Sequence, residues 1–153
     1  MAVKWHIGSL RGCILHPLSL SLSFQFETYT LTHNLSNTRW RPCDRISPSQ
    51  INTTSLTHLI LAFASIDPVA FAVTPADPAD LEVYKPFTDL QSTTLETWIG
   101  IGGGGFTDPG AKTLTTWSDL ASSRSGREAF IRSLQEFMVV WGFQGVDLDC
   151  MCS

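Results

Sequence analysis

From Arg41 onward, apolar positions follow two alternating periods along the chain. Leu56-Thr57-His58-Leu59-Ile60-Leu61-Ala62-Phe63-Ala64 is a mostly apolar run closed by Asp67-Pro68. A second run, Leu95 to Ile101, is closed by Gly102-Gly103-Gly104-Gly105, and a third covers Gln144 to Cys150. Such runs fit strands buried on both faces, as in parallel sheets. Between them the spacing becomes helical: Leu81, Tyr84, Phe87 and Leu90, then Phe130, Leu134, Phe137, Met138 and Trp141. Each set predicts a helix with one apolar face. Pro86 is expected to kink or restart the first helix. The second is expected to start at a capping box, Ser125-Gly126-Arg127-Glu128, and to end on Gly142. The order is strand, helix, strand, helix, strand, which is that of βαβ units with right-handed crossovers.

Ahead of the first run, Ser47 and Pro48 suit the N-cap and first position of a short helix. Residues 1–37 have no helical period and are rich in Thr, Ser, Asn and His. They read as irregular or weakly structured, with one possible strand from Leu18 to Phe26.

Length and charge narrow this picture. The chain has 153 residues, one domain's worth, whereas a complete (β/α)₈ barrel needs about 250. The net charge is -4, and the ten Lys and Arg form no cluster, so nucleic acid is not an expected partner. No apolar run approaches the roughly 20 residues of a membrane span. Leu10 to Phe26 is broken by Arg11, His16 and Pro17 and makes no convincing signal peptide. Cys13, Cys43, Cys150 and Cys152 match no disulfide scaffold or redox motif, and the four histidines form no i, i+4 pair. Neither a metal nor a cofactor is expected.

Two motifs carry possible chemistry. Asp147 and Asp149, at i and i+2 of a strand, project from one face. Paired carboxylates push their pKa values apart and suit acid/base work; a structural pair is the equal alternative. The glycine run could cradle a phosphate, as in a nucleotide-binding βαβ domain. That use needs glycines opening straight into a helix, and Phe106-Thr107-Asp108-Pro109-Gly110 intervenes.

Gly142-Phe143-Gln144-Gly145-Val146-Asp147-Leu148-Asp149 resembles the D-G-x-D-x-D-x-E signature of glycoside hydrolase family 18, the chitinase family. Gly145, Asp147 and Asp149 match; Gln144 takes the first acidic position, Cys150 the place of a frequent tryptophan, and Met151 that of the final glutamate. Trp98-Ile99-Gly100-Ile101-Gly102-Gly103 resembles the family's second signature, S-x-G-G, with Gly100 where Ser, Thr or Ala is usual. The stretch from Arg41 to Asp67 agrees with fungal-type members related to killer-toxin chitinases.

The resemblance implies an α/β fold: a partial (β/α)₈ barrel of three to four β/α units in residues 38–153, with 1–37 unmatched. It implies chitin or chito-oligosaccharide as partner, an extracellular location, and substrate-assisted retaining hydrolysis of β-1,4-N-acetylglucosamine linkages. Asp149 would orient the sugar's acetamido group, Asp147 would support it from a more buried position, and Gly102 and Gly103 would line the substrate site. Met151 would stand where the proton donor belongs, and a thioether donates no proton, so this chain is expected to be inactive. Its two unmatched ends fit a truncated or mis-spliced product, and an open sheet predicts marginal stability. A non-catalytic, lectin-like chitin binder is the alternative.

Overall fold

The structure, a computed structural model, describes residues 4–7, 30–33 and 47–150. The possible strand at Leu18 to Phe26 and the residues Cys13, Cys43, Met151 and Cys152 lie outside them. The strands are β1 (Lys4–Ile7), β2 (Thr30–His33), β3 (His58–Ile66), β4 (Val73–Pro75), β5 (Glu96–Gly102) and β6 (Gly145–Asp149). The helices are α1 (Leu81–Thr88), α2 (Thr116–Ser122) and α3 (Arg124–Trp141). All six strands join one sheet in the order β1-β6-β5-β3-β2, with β4 antiparallel against the end of β3 and every other pairing parallel.

The three apolar runs form β3, β5 and β6, each within two residues of its expected bounds. β1 and β2 fall in the stretch read as irregular. Thr30-Leu31-Thr32-His33 pairs with His58 to Leu61, so partners distant in sequence, rather than local apolarity, make it a strand.

The two helices also differ in detail from expectation. α3 begins at Arg124, and the Ser123 hydroxyl, not that of Ser125, accepts the Gly126 N–H at 3.1 Å. Ser123 is extended because it separates two abutting helices, and Glu128 is occupied by Arg124 Nε at 3.0 Å. One helix, α1, runs through Pro86 without restarting there. It ends at Thr88, whose hydroxyl donates to the Trp141 carbonyl at 2.8 Å and joins the ends of α1 and α3.

Alternation along the parallel strands divides the sheet into two faces. Leu59, Leu61, Ile99, Ile101 and Val146 share the main core with Tyr84 and Phe87 of α1 and Phe130, Leu134, Phe137 and Met138 of α3. His58, Ile60, Trp98, Gly100, Gly102, Gly145, Asp147 and Asp149 alternate to the opposite face.

Tyr84 is fully buried, and its hydroxyl has no hydrogen-bond partner among the described residues. Burial, helped by the nearby Asp80 carboxyl, pushes its pKa well above the ordinary value. Tyr84→Phe is therefore expected to raise stability by about 1 kcal/mol at neutral pH, since it removes a desolvated group that gains nothing. Above about pH 10 the unfolded phenol ionises while the folded one does not, so stability falls as pH rises. Thermal midpoints at neutral and alkaline pH check both points: the variant should melt higher and lose less on alkalinisation.

Candidate functional site

The two carboxylates of β6 stand opposite glycines of β5: Asp147 faces Gly100 and Asp149 faces Gly102. Both aspartates are half-buried, and Oδ1 of Asp147 is sealed from solvent. The Gly103 N–H donates to the Asp149 carbonyl at 3.1 Å, tying the glycine run to the end of β6. Gly102 and Gly103 have φ of +104° and +87°, conformations that side chains strongly disfavour. A Cβ on Gly102 would lie 2.4 Å from the Asp149 carbonyl oxygen, and one on Gly103 would lie 2.6 Å from the Phe63 ring. The glycines thus let β5 close onto the aspartate strand and seat an aromatic ring beside it. They do not open into a helix; the next one begins at Thr116.

Phe63 is the site residue that sequence reasoning missed. The β3–β5 register shifts between Leu61 and Ala64, a bulge-type irregularity of the kind that re-aims a side chain. Phe63 sits in that shift, after a cis Ala62–Phe63 peptide, and its ring lies over Gly100 and Gly103. Within an unbroken apolar run nothing set it apart from core.

Gln144, at the first acidic position of the signature, clasps β5 with two hydrogen bonds. Its N–H donates to the Thr97 carbonyl at 2.8 Å, and its Oε1 accepts the Thr97 N–H at 3.1 Å. Gly145 lies under the Trp98 ring, where a Cβ would come within 2.3 Å of it. Trp98 Nε1 donates to Glu96 Oε2 at 3.0 Å, and the His58 ring meets Trp98 edge-on at 5.0 Å. These residues occupy the N-terminal ends of the strands, opposite the carboxylates. Among the described residues no three His, Cys, Asp or Glu side chains converge as metal ligands.

A parallel sheet with an acidic pair at the C-terminal end of one strand is the layout of an α/β barrel site. Residues 29–153 match the profile of Glycosyl hydrolases family 18. The chain belongs to that family. It is 33% identical over 133 residues to a class V chitinase of Medicago truncatula, covering 86% of this chain and 33% of the relative. The catalytic domain 2 of a Group II chitinase of Ostrinia furnacalis, solved as a variant with (NAG)5, superposes with TM-score 0.69 at 27% identity. That alignment covers 78% of this chain and 30% of the other. A chitinase-like agglutinin of Robinia pseudoacacia superposes with TM-score 0.62 at 27% identity, over 78% of this chain and 32% of its own. The chain spans about a third of the length of these relatives. Its sheet is part of a family 18 barrel, and the profile match, residues 29–153, takes in β2 and leaves out β1.

Proposed function

We propose that the chain carries the first β/α units of a chitin-directed family 18 catalytic domain and engages N-acetylglucosamine units without cleaving them. The observation that carries this is the pairing of Asp147 and Asp149 with the glycines of β5 on one face of the sheet. In the family's substrate-assisted route, a carboxylate holds the acetamido group while its oxygen attacks the anomeric carbon. Asp149, at the strand end, is suited to orient that group; Asp147, with one oxygen sealed from solvent, is suited to support it. Phe63 supplies an apolar wall beside them. The proton donor is absent, because the sequence places Met151 at the glutamate position. Losing a general acid removes about 10²- to 10⁴-fold in rate. An extracellular location follows from the nature of the polymer. Among the described residues, no helix is long and apolar enough to cross a membrane.

The test combines thermal unfolding with product analysis. Chitotetraose is expected to raise the melting midpoint, Asp149→Ala to abolish that rise, and soluble sugar release from chitin to equal the buffer blank. Release above the blank would overturn the loss of catalysis. A rise with nucleotide but none with chitotetraose would overturn the family 18 site in favour of a nucleotide-binding βαβ unit. The likeness to the Robinia agglutinin favours a second reading, a lectin-like binder. Retention on chitin beads by Asp149→Ala as well as by the unaltered chain distinguishes it, since the first reading holds the sugar through that carboxylate.

A further inference from the structure

Asn52-Thr53-Thr54 has the form Asn-x-Thr, the acceptor triplet for N-linked glycosylation of an exported chain. Its middle residue is Thr53, not the proline that would disqualify it. A second triplet, Asn34-Leu35-Ser36, lies outside the described residues.

The folded chain leaves the first triplet in the open. It lies in the loop between a single 3₁₀ turn, Pro48–Gln50, and the start of β3 at His58. Asn52 and Thr54 are exposed, whereas Ile51 and Leu56, on either side, are half-buried and pack against the core. The Asn52 Oδ1 accepts the Thr54 N–H at 3.0 Å, which fixes the carboxamide by its oxygen. Its Nδ2, the atom that would carry sugar, makes no hydrogen bond among the described residues, and neither does the Thr54 hydroxyl. The Leu56 N–H donates to the Thr53 carbonyl at 3.1 Å and Ser55 has φ +68°, so the chain reverses within this loop. A bulky group on Nδ2 thus displaces no buried contact and breaks no hydrogen bond.

We infer that Asn52 is an N-glycosylation site whose glycan stands on the strand-entry side of the sheet. In the transfer, Nδ2 forms a bond to the anomeric carbon of an oligosaccharide carried on a polyprenyl diphosphate. The bond from that carbon to the diphosphate oxygen breaks, the diphosphate leaves with the electron pair, and one Nδ2 proton passes to a base of the transferring enzyme. The inference rests on the extracellular location proposed above, because donor and enzyme work inside the secretory pathway. The loop leads into the N-terminal end of β3, whereas the carboxylates sit toward the C-terminal end of the parallel strand β6. From His58 to Ala64, which shares a row with Ile101 and Leu148, is about 20 Å at about 3.3 Å per residue. The glycan therefore leaves the carboxylate end uncovered.

The test expresses the chain in cultured insect cells, once as it is and once behind a cleavable secretion signal, each with Asn34→Gln so that Asn52 alone is read. The signal-bearing chain should migrate as a larger species that an amidase specific for N-glycans returns to the size of its Asn52→Gln variant. Mass spectrometry should then find an aspartate at that position. Thr54→Ala should abolish the modification, and Thr54→Ser, which keeps a hydroxyl, should retain it. A chain that has lost its signal in the secretory pathway and still lacks sugar at Asn52 overturns the inference. If the signal-bearing chain is modified while the other stays unmodified in the cytosol, the location fails and the acceptor site stands. Chitotetraose should raise the melting midpoint equally before and after deglycosylation; a larger rise afterwards would overturn the placement of the glycan away from the carboxylates.

Discussion

Gly102→Ala is expected to cost about 2–6 kcal/mol, combining two penalties that act at one Cβ. The backbone at Gly102 has φ +104°, and holding an L-residue there costs about 1–3 kcal/mol. The added methyl would also meet the Asp149 carbonyl oxygen at 2.4 Å and the Trp117 ring at 3.3 Å. Overpacking of that kind costs about 1–3 kcal/mol more. The first contact is backbone, which cannot rotate away, so relief requires β5 and β6 to separate where the carboxylates sit. Whole domains are stable by only about 5–15 kcal/mol. Urea unfolding measures the loss. Gly104→Ala is the control: a Cβ there meets nothing within 4 Å, and the midpoint should barely move. Equal destabilisation by both would refute the close approach at Gly102.

Phe143→Ala should cost a similar amount for a different reason. Phe143 is fully buried, stacks on Phe137 at 6.1 Å, and meets Tyr84 and Phe87 at 5.7 and 6.3 Å. Removing a buried phenyl leaves a cavity and costs about 3–5 kcal/mol. This ring anchors the turn between α3 and β6, so its loss should also loosen the start of the aspartate strand. Val139→Ala on the exposed side of α3 should change stability by less than about 0.5 kcal/mol. A comparable loss at both positions, at equal m-value, would show that Phe143 is not an anchor.

Period and punctuation made the three core strands and two main helices legible. Val146, Ile99 and Leu59 occur in runs too apolar to be anything but buried, and Gly142 ends α3 in the left-handed conformation its position suggests. The i, i+2 spacing of Asp147 and Asp149 was enough to place both on one face, because strand alternation is a local property. Two details misled. Ser125 satisfied the sequence form of a cap, but Ser123 took the role because the preceding helix α2 ends directly before it. Leu81 fitted the apolar stripe of α1 yet is 38% exposed.

Local pattern thus made the main element types, the family resemblance and two carboxylates on one strand face legible. It carried no signal for β1 or β2, whose strand character comes from partners tens of residues away or more, an interaction that no window of sequence contains. Nor did it distinguish Phe63 from its apolar neighbours, since the bulge that turns it toward the glycines exists only once β3 and β5 are paired. The glycines were expected to receive substrate. In the folded sheet, Gly102 and Gly103 first of all admit the Asp149 carbonyl and the Phe63 ring, because close approach belongs to two strands together and to neither alone.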